Sequence, residues 1–347
     1  MTTRSISRVL AVALSAGTML ALPAMSVQAQ EGPGAGTTVR MAQATWDTGW
    51  FHAEIYKQLL EELGYTVEGP TTLDNPPFYQ AVAQGDLDLW VNGWFPLHNS
   101  YESTYSQGAE LVGAVAEGGA LEGYLVDKAS IEEFDIKSLE DFKRDEVKEA
   151  FDRDGDGKAD LVACPPGWGC EITIEHHLDA YDLRDHVNPI KASYAASMAD
   201  AVAAHGEGTP ILFYTWTPNW TVDELKPGED VMWIEVPEIN LPEAQADLAD
   251  AATLDGVEGC INDPCMLGFP ANDIRPVVNT AFLGENPAVG ALLEAASIPI
   301  ADIFSQNAKM NAGEGDQEDI ERHASEWIEA NADLVDGWLE EARAAAD

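Results

Sequence analysis

The chain has 347 residues, of which 61 are Asp or Glu and 18 are Lys or Arg, and its formal net charge is −43 at pH 7. This charge excludes a nucleic-acid binder with a basic footprint and a protein that docks on anionic lipid through a polybasic patch. Hydrophobic residues form 46% of the chain, so we expect a substantial core under an acidic, solvated surface of the kind that suits a salt-rich habitat.

The first predicted element is a secretory signal peptide over residues 1–29. Arg4 and Arg8 precede an apolar stretch at 9–22, and a small-residue cleavage site ends at Ala29. A transmembrane anchor is the alternative, but the stretch is short and interrupted by polar residues. We therefore expect a periplasmic protein.

The rest of the chain alternates between strand and helix patterns. Strands are predicted at 38–42, 65–67, 87–91, 123–126, 160–163, 210–214 and 231–236. Helices are predicted at 50–63, 78–84, 171–181, 193–205, 287–296, 300–310 and 320–345. This order predicts two α/β units, each with a mostly parallel sheet flanked by helices, followed by a helical C-terminal tail.

The four cysteines form two close pairs, Cys164 with Cys170 and Cys260 with Cys265. Export to an oxidising compartment favours two disulfides. A zinc site is the alternative, but neither pair has a histidine at zinc-finger spacing.

Three segments rich in tryptophan each follow a predicted strand. They are residues 90–98, 164–170 and 214–220, which contain Trp94, Trp168 and Trp216. Ligands of open α/β sheets bind beyond the carboxyl ends of the strands. Packing is the alternative role for each tryptophan alone. Together, indole faces favour a cation that offers no N–H donor, such as a quaternary ammonium.

The segment around Trp168 also provides a site for an anion. Gly169 and Cys170 directly precede a predicted helix, whose first backbone N–H groups attract a carboxylate. His98 is expected to donate a further hydrogen bond. A cation cage beside a carboxylate pocket fits a zwitterion such as a betaine. The chain contains none of the phosphate-loop, serine-hydrolase or zinc-protease motifs that would indicate an enzyme.

Across residues 39–345, the sequence resembles the periplasmic glycine betaine-binding proteins of ABC importers. The resemblance is most specific at residues 92–98, 151–170, 214–220 and 302–310. It implies an aromatic box of Trp94, Trp168 and Trp216, and carboxylate contacts from His98 and the backbone of Trp168, Gly169 and Cys170.

The resemblance also implies a fold and a role. The fold is a two-lobed, hinge-closing binding protein of type II, in which lobe I comprises residues 30–122 and part of 241–347, and lobe II comprises residues 123–240. The role is capture of a betaine by a monomer and its delivery to membrane permease subunits.

Two further residues are candidates for contact with the ligand. Trp46, followed by Trp50, lies near the first strand end, where the resemblance does not place a tryptophan. Tyr124 lies near the expected hinge, and packing between the lobes is its alternative role. Proline betaine, choline and dimethylsulfoniopropionate stay open as ligands. An exported metal-dependent hydrolase and a sensor-coupled binding protein stay open as functions.

An acidic segment resembles a calcium-binding loop. Asp152, Asp154 and Asp156 occupy positions one, three and five of an EF-hand pattern, Lys158 position seven and Asp160 position nine. The usual glutamate at position twelve is absent. The loop is therefore a candidate structural calcium site, with a solvated acidic turn as the alternative, and no other cofactor is expected.

Overall fold

The computed structural model describes residues 32–346, so the predicted signal peptide at residues 1–29 lies outside the described residues. The strands are β1 Thr38–Ala44, β2 Thr66–Leu73, β3 Leu89–Phe95, β4 Ala109–Leu111, β5 Ala116–Ala120, β6 Glu122–Asp127, β7 Ala159–Val162, β8 Val187–Ile190, β9 Leu212–Trp216, β10 Val231–Ile234, β11 Thr253–Leu254, β12 Cys265–Met266 and β13 Asn272–Asn279.

Helices connect and cover these strands. The α-helices are α1 Trp50–Glu62, α2 Asn75–Gln84, α3 Glu102–Tyr105, α4 Lys128–Phe134, α5 Asp145–Phe151, α6 Gly169–Ala180, α7 Tyr194–Gly206, α8 Thr221–Glu224, α9 Thr280–Glu285, α10 Pro287–Ala295, α11 Ile300–Asn311, α12 Gln317–Ala330 and α13 Ala332–Ala345. Short 3-10 helices span Asp47–Gly49, Leu97–Tyr101, Leu139–Lys143 and Glu243–Ala252.

The first sheet has the order β2-β1-β3-β13-β4, and β5 also pairs with β13. The unit β1–α1–β2–α2–β3 forms because α1 and α2 cross over between parallel strands. Helix α1 buries Phe51, Ile55 and Leu59, as their spacing predicts. Helix α2 ends at Gly85, whose left-handed φ of 76° terminates it. The candidate site begins where β1 and β3 end.

The second sheet has the order β10-β6-β9-β7-β8. Strand β7 runs parallel to β8 and β9, whereas β6 runs antiparallel to β9 and β10. In the first sheet, β13 likewise runs antiparallel to β3, β4 and β5.

Both sheets are thus mixed, and the expectation of mostly parallel sheets is wrong. The strand directions are mixed because the chain passes directly from a strand of one sheet to a strand of the other. Only Leu121 separates β5 in the first sheet from β6 in the second. A strand that enters in this way has no crossover helix to impose a parallel direction.

The C-terminal segment contains two helices where the sequence predicted one over 320–345. The break is Asn331, with φ −113° and ψ 28°. Its side-chain amide donates to the Trp327 carbonyl at 2.8 Å, a local bond that competes with continuation of the helix. Trp327 and Trp338 stack across the break with ring centroids 6.2 Å apart.

Both predicted disulfides are confirmed, Cys164–Cys170 and Cys260–Cys265. The second bridge lies in a segment that bonds to the second sheet, since Trp233 donates its N–H to Gly259 and accepts from Ile261. Residues 259–261 therefore lie against the edge strand β10, although they form no strand of the second sheet. The lobe limits at 123 and 240 stay predictions.

Within residues 32–346, no single helix is long and apolar enough to cross a membrane. The pair α10 and α11 has the required length and composition only when both helices are joined across a bend of 89°.

Candidate functional site

A small cavity lies where the two sheets meet. Seven of the eight predicted ligand-binding residues line it, and Leu97, Glu122 and Tyr214 complete the wall. The seven are Trp46, Trp94, His98, Trp168, Gly169, Cys170 and Trp216. The sequence therefore indicated most of the residues around one cavity, although their role in binding stays a prediction.

The four tryptophans reach the cavity from the ends of different elements. Trp94 is the next-to-last residue of β3 and Trp216 the last residue of β9, so both belong to strands and not to the loops after them. Trp168 is the N-cap of α6, and Trp46 follows β1 by two residues. The strand ends therefore place all four side chains at one junction.

The indole rings meet edge to face. Trp46 and Trp168 have centroids 5.3 Å apart at an interplanar angle of 67°, and Trp168 and Trp216 have centroids 5.6 Å apart at 75°. All three are buried. Nearly perpendicular rings present π faces in several directions, which suits the enclosure of a compact group. Trp50 does not join them, because its indole N–H donates to the Ala44 carbonyl.

Hydrogen bonds connect the tryptophans of the second sheet to the segment that follows β1. The Trp168 indole donates to Thr45 Oγ1 at 2.8 Å, and the Trp216 indole donates to Thr48 Oγ1 at 3.3 Å. The Asn75 backbone N–H also donates to the Gly167 carbonyl at 3.3 Å. These bonds join the two sides of the cavity directly.

Asn92 orients the two tryptophans of the first sheet. Its Oδ1 accepts from the Trp46 indole at 2.6 Å and from the Trp94 indole at 3.3 Å. Its Nδ2 lies 2.8 Å from His52 Nδ1. Burial lowers the pKa of His52 to about 3, so this imidazole is neutral and can accept the amide N–H. Asn92 is itself 1% exposed, and sequence reasoning missed it.

His98 presents one N–H near the start of α6. Its Nδ1 accepts from the Trp94 backbone N–H at 3.1 Å, so the ring proton lies on Nε2. The Asn75 side-chain amide lies 2.9 Å from that Nε2 and accepts its proton when the amide oxygen is turned toward the ring, so this N–H has a partner within the protein. Burial lowers the pKa of His98 to about 3, and the ring is therefore a neutral donor. A Cβ on Gly169 would lie 3.0 Å from Nε2, so the close approach requires glycine.

Helix α6 begins at Gly169, two residues earlier than predicted, so both Gly169 and Cys170 lie in its first turn. The N–H groups of a helix's first turn have no acceptor inside the helix and carry partial positive charge. The Cys164–Cys170 disulfide closes the loop that positions them. This end of the cavity therefore favours an anionic group.

Glu122 is the one acidic side chain among the residues that line the cavity, and sequence reasoning missed it. It accepts hydrogen bonds from the Tyr214 hydroxyl and from Asn272 Nδ2, the latter at 2.8 Å. Burial raises the pKa of Glu122 to about 7, although both hydrogen bonds oppose the shift. The chain has 61 acidic residues, so an acidic residue alone is no signal; only the position of Glu122 at a strand start, shortly before Tyr124, could have indicated this residue.

Tyr124 does not reach the cavity, contrary to expectation. It faces the same side of the second sheet as Glu122, because the two residues are two positions apart in β6. Register pairs Glu122 with Trp216 and Tyr124 with Tyr214, so Tyr124 lies one pair further from the strand end. Its hydroxyl lies 2.9 Å from Nδ1 of His177 on α6, so it is buried between the second sheet and that helix.

The acidic loop lies between α5 and β7, and none of its residues lines the cavity. Carboxylate oxygens of Asp152, Asp154 and Asp156 lie within 4.8 Å of one another, the one such group of three among residues 32–346. Asp160 bonds instead to the Arg153 N–H, and the Lys158 ammonium donates to the Arg184 carbonyl. Calcium binding stays a prediction for the first three residues.

One family model and two known relatives match most of this chain. The model of the family described as the substrate binding domain of ABC-type glycine betaine transport systems matches residues 37–330. The glycine betaine-binding periplasmic protein OusX of Dickeya dadantii is 40% identical over 315 residues, which cover 90% of this chain and 92% of the relative. The glycine betaine/proline betaine-binding periplasmic protein of Escherichia coli is 39% identical over 314 residues, with the same coverage.

The fold is also similar to a solved structure, lactococcal OpuAC in its closed conformation complexed with glycine betaine. The TM-score is 0.64 at 21% identity, covering 87% of this chain and 99% of that chain. At this identity the likeness concerns the fold alone. It confirms the predicted α/β binding-protein fold with its C-terminal helices.

Proposed function

Because the chain belongs to the family of substrate-binding domains of ABC-type glycine betaine transport systems, we propose that it binds glycine betaine or a related quaternary-ammonium zwitterion and delivers it to an ABC permease. The family is one of transport components and not of enzymes. The observation that carries the proposal is the cavity in which four tryptophans face the first turn of α6.

The tryptophans provide the site for the trimethylammonium group. This group spreads its charge over methyl groups and offers no N–H donor, so π faces suit it better than hydrogen-bond acceptors do. Each well-placed indole face contributes about 0.5–2 kcal/mol to the binding of a desolvated cation. The edge-to-face arrangement of Trp46, Trp168 and Trp216 supports this role.

The first turn of α6 provides the site for the ligand carboxylate. The N–H groups of Gly169 and Cys170 point out of the helix start, and a carboxylate there gains both hydrogen bonds and the helix dipole. The Nε2–H of His98, which faces the Asn75 amide, adds a third donor from the other side of the cavity once it turns from Asn75 to the ligand carboxylate. Because His98 is neutral, the site holds an anion without a full positive charge.

Binding favours the closed arrangement of the two lobes. Trp94 and His98 belong to one side, and Trp168 and Trp216 to the other, so a ligand contacts all four only when the sides are together. The hydrogen bonds from Trp168 to Thr45 and from Trp216 to Thr48 form in that same state.

The place of action that we propose is the periplasm, with export by the signal peptide and function as a monomer. Two disulfides support an oxidising compartment. The two relatives are named as periplasmic proteins. A surface with an excess of acidic residues is compatible with the salt stress under which osmoprotectants are taken up.

The test is calorimetric titration with glycine betaine, proline betaine, choline and dimethylsulfoniopropionate. We expect saturable binding of at least one of them, and Trp168→Ala should weaken it by about 30-fold, the effect of losing roughly 2 kcal/mol. Trp327→Ala, in α12 and outside the cavity, is the matched control and should keep the affinity. Flat titrations with all four compounds would contradict the proposal.

A further inference from the structure

Glu122 gives the cavity a charge that a pure zwitterion does not need. It is 1% exposed, and its two hydrogen-bond partners, Tyr214 and Asn272, are both neutral. Neither Lys nor Arg is among the residues that line the cavity. A buried carboxylate without a cationic partner is unfavourable, so the missing countercharge is one that a ligand can supply.

The net charge of the site then depends on which ligand occupies it. A zwitterion brings a positive and a negative group, so with Glu122 ionised the occupied cavity keeps one uncompensated negative charge. A trimethylammonium alcohol such as choline brings only the positive group, and the occupied cavity is then neutral. With Glu122 protonated the balance is reversed, because the zwitterion leaves the cavity neutral and the cation leaves it positive.

We propose that Glu122 determines the preference of this cavity between zwitterionic and cationic trimethylammonium compounds, favouring the cation when it is ionised and the zwitterion when it is protonated. The inference rests on the proposed function, because it assumes that the cavity holds a trimethylammonium group. Attraction between Glu122 and this group is common to both ligands. What differs is the repulsion between Glu122 and the carboxylate that only the zwitterion carries.

The groups around Glu122 leave it as the titrating residue inside the cavity near neutral pH. Burial raises the pKa of Tyr214, on β9, and of Tyr124, on β6, well above the usual range. Burial lowers the pKa of His98 to about 3 and raises that of Glu122 to about 7. Asp47, whose pKa burial also raises, borders a cleft on the outer side of Trp216 and does not line the cavity.

The experiment measures the ratio of two dissociation constants, choline over glycine betaine, by calorimetry. Wild type, Glu122→Gln and the matched control Asp47→Asn are compared at about pH 8.5 and about pH 5.5, on either side of the Glu122 pKa. Glutamine keeps the shape of Glu122 and one acceptor oxygen for Asn272, and its amide N–H can donate to the Tyr214 hydroxyl, whereas the charge is removed. We expect Glu122→Gln to raise the ratio by about tenfold or more at the higher pH, because charges a few ångströms apart interact strongly in a partly buried site.

The pH comparison separates charge from structure. In wild type and in Asp47→Asn the ratio should rise by about tenfold as the pH is lowered, whereas in Glu122→Gln it should stay constant. The inference would be overturned if the wild-type ratio did not change with pH, or if the ratio for Glu122→Gln changed with pH as much as the wild-type ratio does. The wild-type measurement decides even if the variant does not fold. Wild type that binds glycine betaine but no choline at about pH 8.5 would also overturn the inference, whereas flat titrations with both ligands and with the other two compounds would instead contradict the proposed function.

Discussion

Asn92 holds two of the four tryptophans that line the cavity. Its one oxygen accepts from the indoles of Trp46 and Trp94, and its amide nitrogen contacts His52. The substitution Asn92→Ala leaves Trp46, Trp94 and His52 without this hydrogen-bond partner, at a position that is 1% exposed. Water cannot readily replace them there, so the lost bonds should affect both stability and binding.

The size of the effect follows from the geometry. The bonds at 2.6 and 2.8 Å have good length, and the bond at 3.3 Å is weak. A net hydrogen bond contributes about 1 kcal/mol, and a buried polar group left without a partner costs about 1–3 kcal/mol. We expect the free energy of unfolding to fall by about 3 kcal/mol. Ligand affinity should fall by about tenfold, since two cage walls lose their shared acceptor.

Urea unfolding and calorimetry with glycine betaine measure the two effects. Asn311→Ala, at an exposed asparagine at the end of α11, is the matched control and should change neither quantity. If Asn92→Ala unfolds within about 0.5 kcal/mol of wild type and binds ligand equally well, then the indoles do not depend on this amide and the reasoning is refuted.

Three further predictions concern neighbouring residues. Gly169→Ala would place a Cβ 2.7 Å from a His98 ring carbon, so betaine affinity should drop by about tenfold or more in calorimetry, and unchanged affinity would show that the helix start can move. Serine at both positions of the Cys164–Cys170 bridge should weaken binding more than the same change at the other bridge, because only the first holds the loop at the cavity; equal effects would contradict this. Glu122 has its pKa raised to about 7 by burial, so the stability that its protonated form provides is complete below about pH 4.5 and is lost as the pH rises through 7. As the pH rises over this range, wild type should therefore lose about 3 kcal/mol of unfolding free energy relative to Glu122→Gln. A difference between the two proteins that does not change with pH would refute the prediction.

The sequence predicted the parts of the fold that have a period. Strand and helix alternation located β1, β3 and the helices between them within a few residues, and it located the start of β2 but not its end at Leu73. Strand β13 was not predicted, although it lies in the middle of the first sheet. Its partners β3, β4 and β5 are far away in the chain, and its segment Asn272–Asn279 mixes polar and apolar residues without a regular alternation. Pairing over such distances leaves no local signal.

The site shows the same division. Trp94, Trp168 and Trp216 could be predicted because tryptophan beside a strand end is unusual and because three such cases coincide. Glu122 and Asn92 could not, since their importance comes from burial and from partners on other elements. A carboxylate in a very acidic chain and an amide inside a strand look ordinary until the fold places them.

The indole bonds to Thr45 and Thr48 have a consequence for release of the ligand. Trp216 ends β9 of the second sheet and Trp168 caps α6, which follows β7 of that sheet, whereas their acceptors follow the first strand of the other sheet. Any force that separates the sheets breaks these two bonds and withdraws two walls of the cavity in the same movement. Under the proposed function, a permease that separates the two sheets therefore loosens the ligand without contacting it.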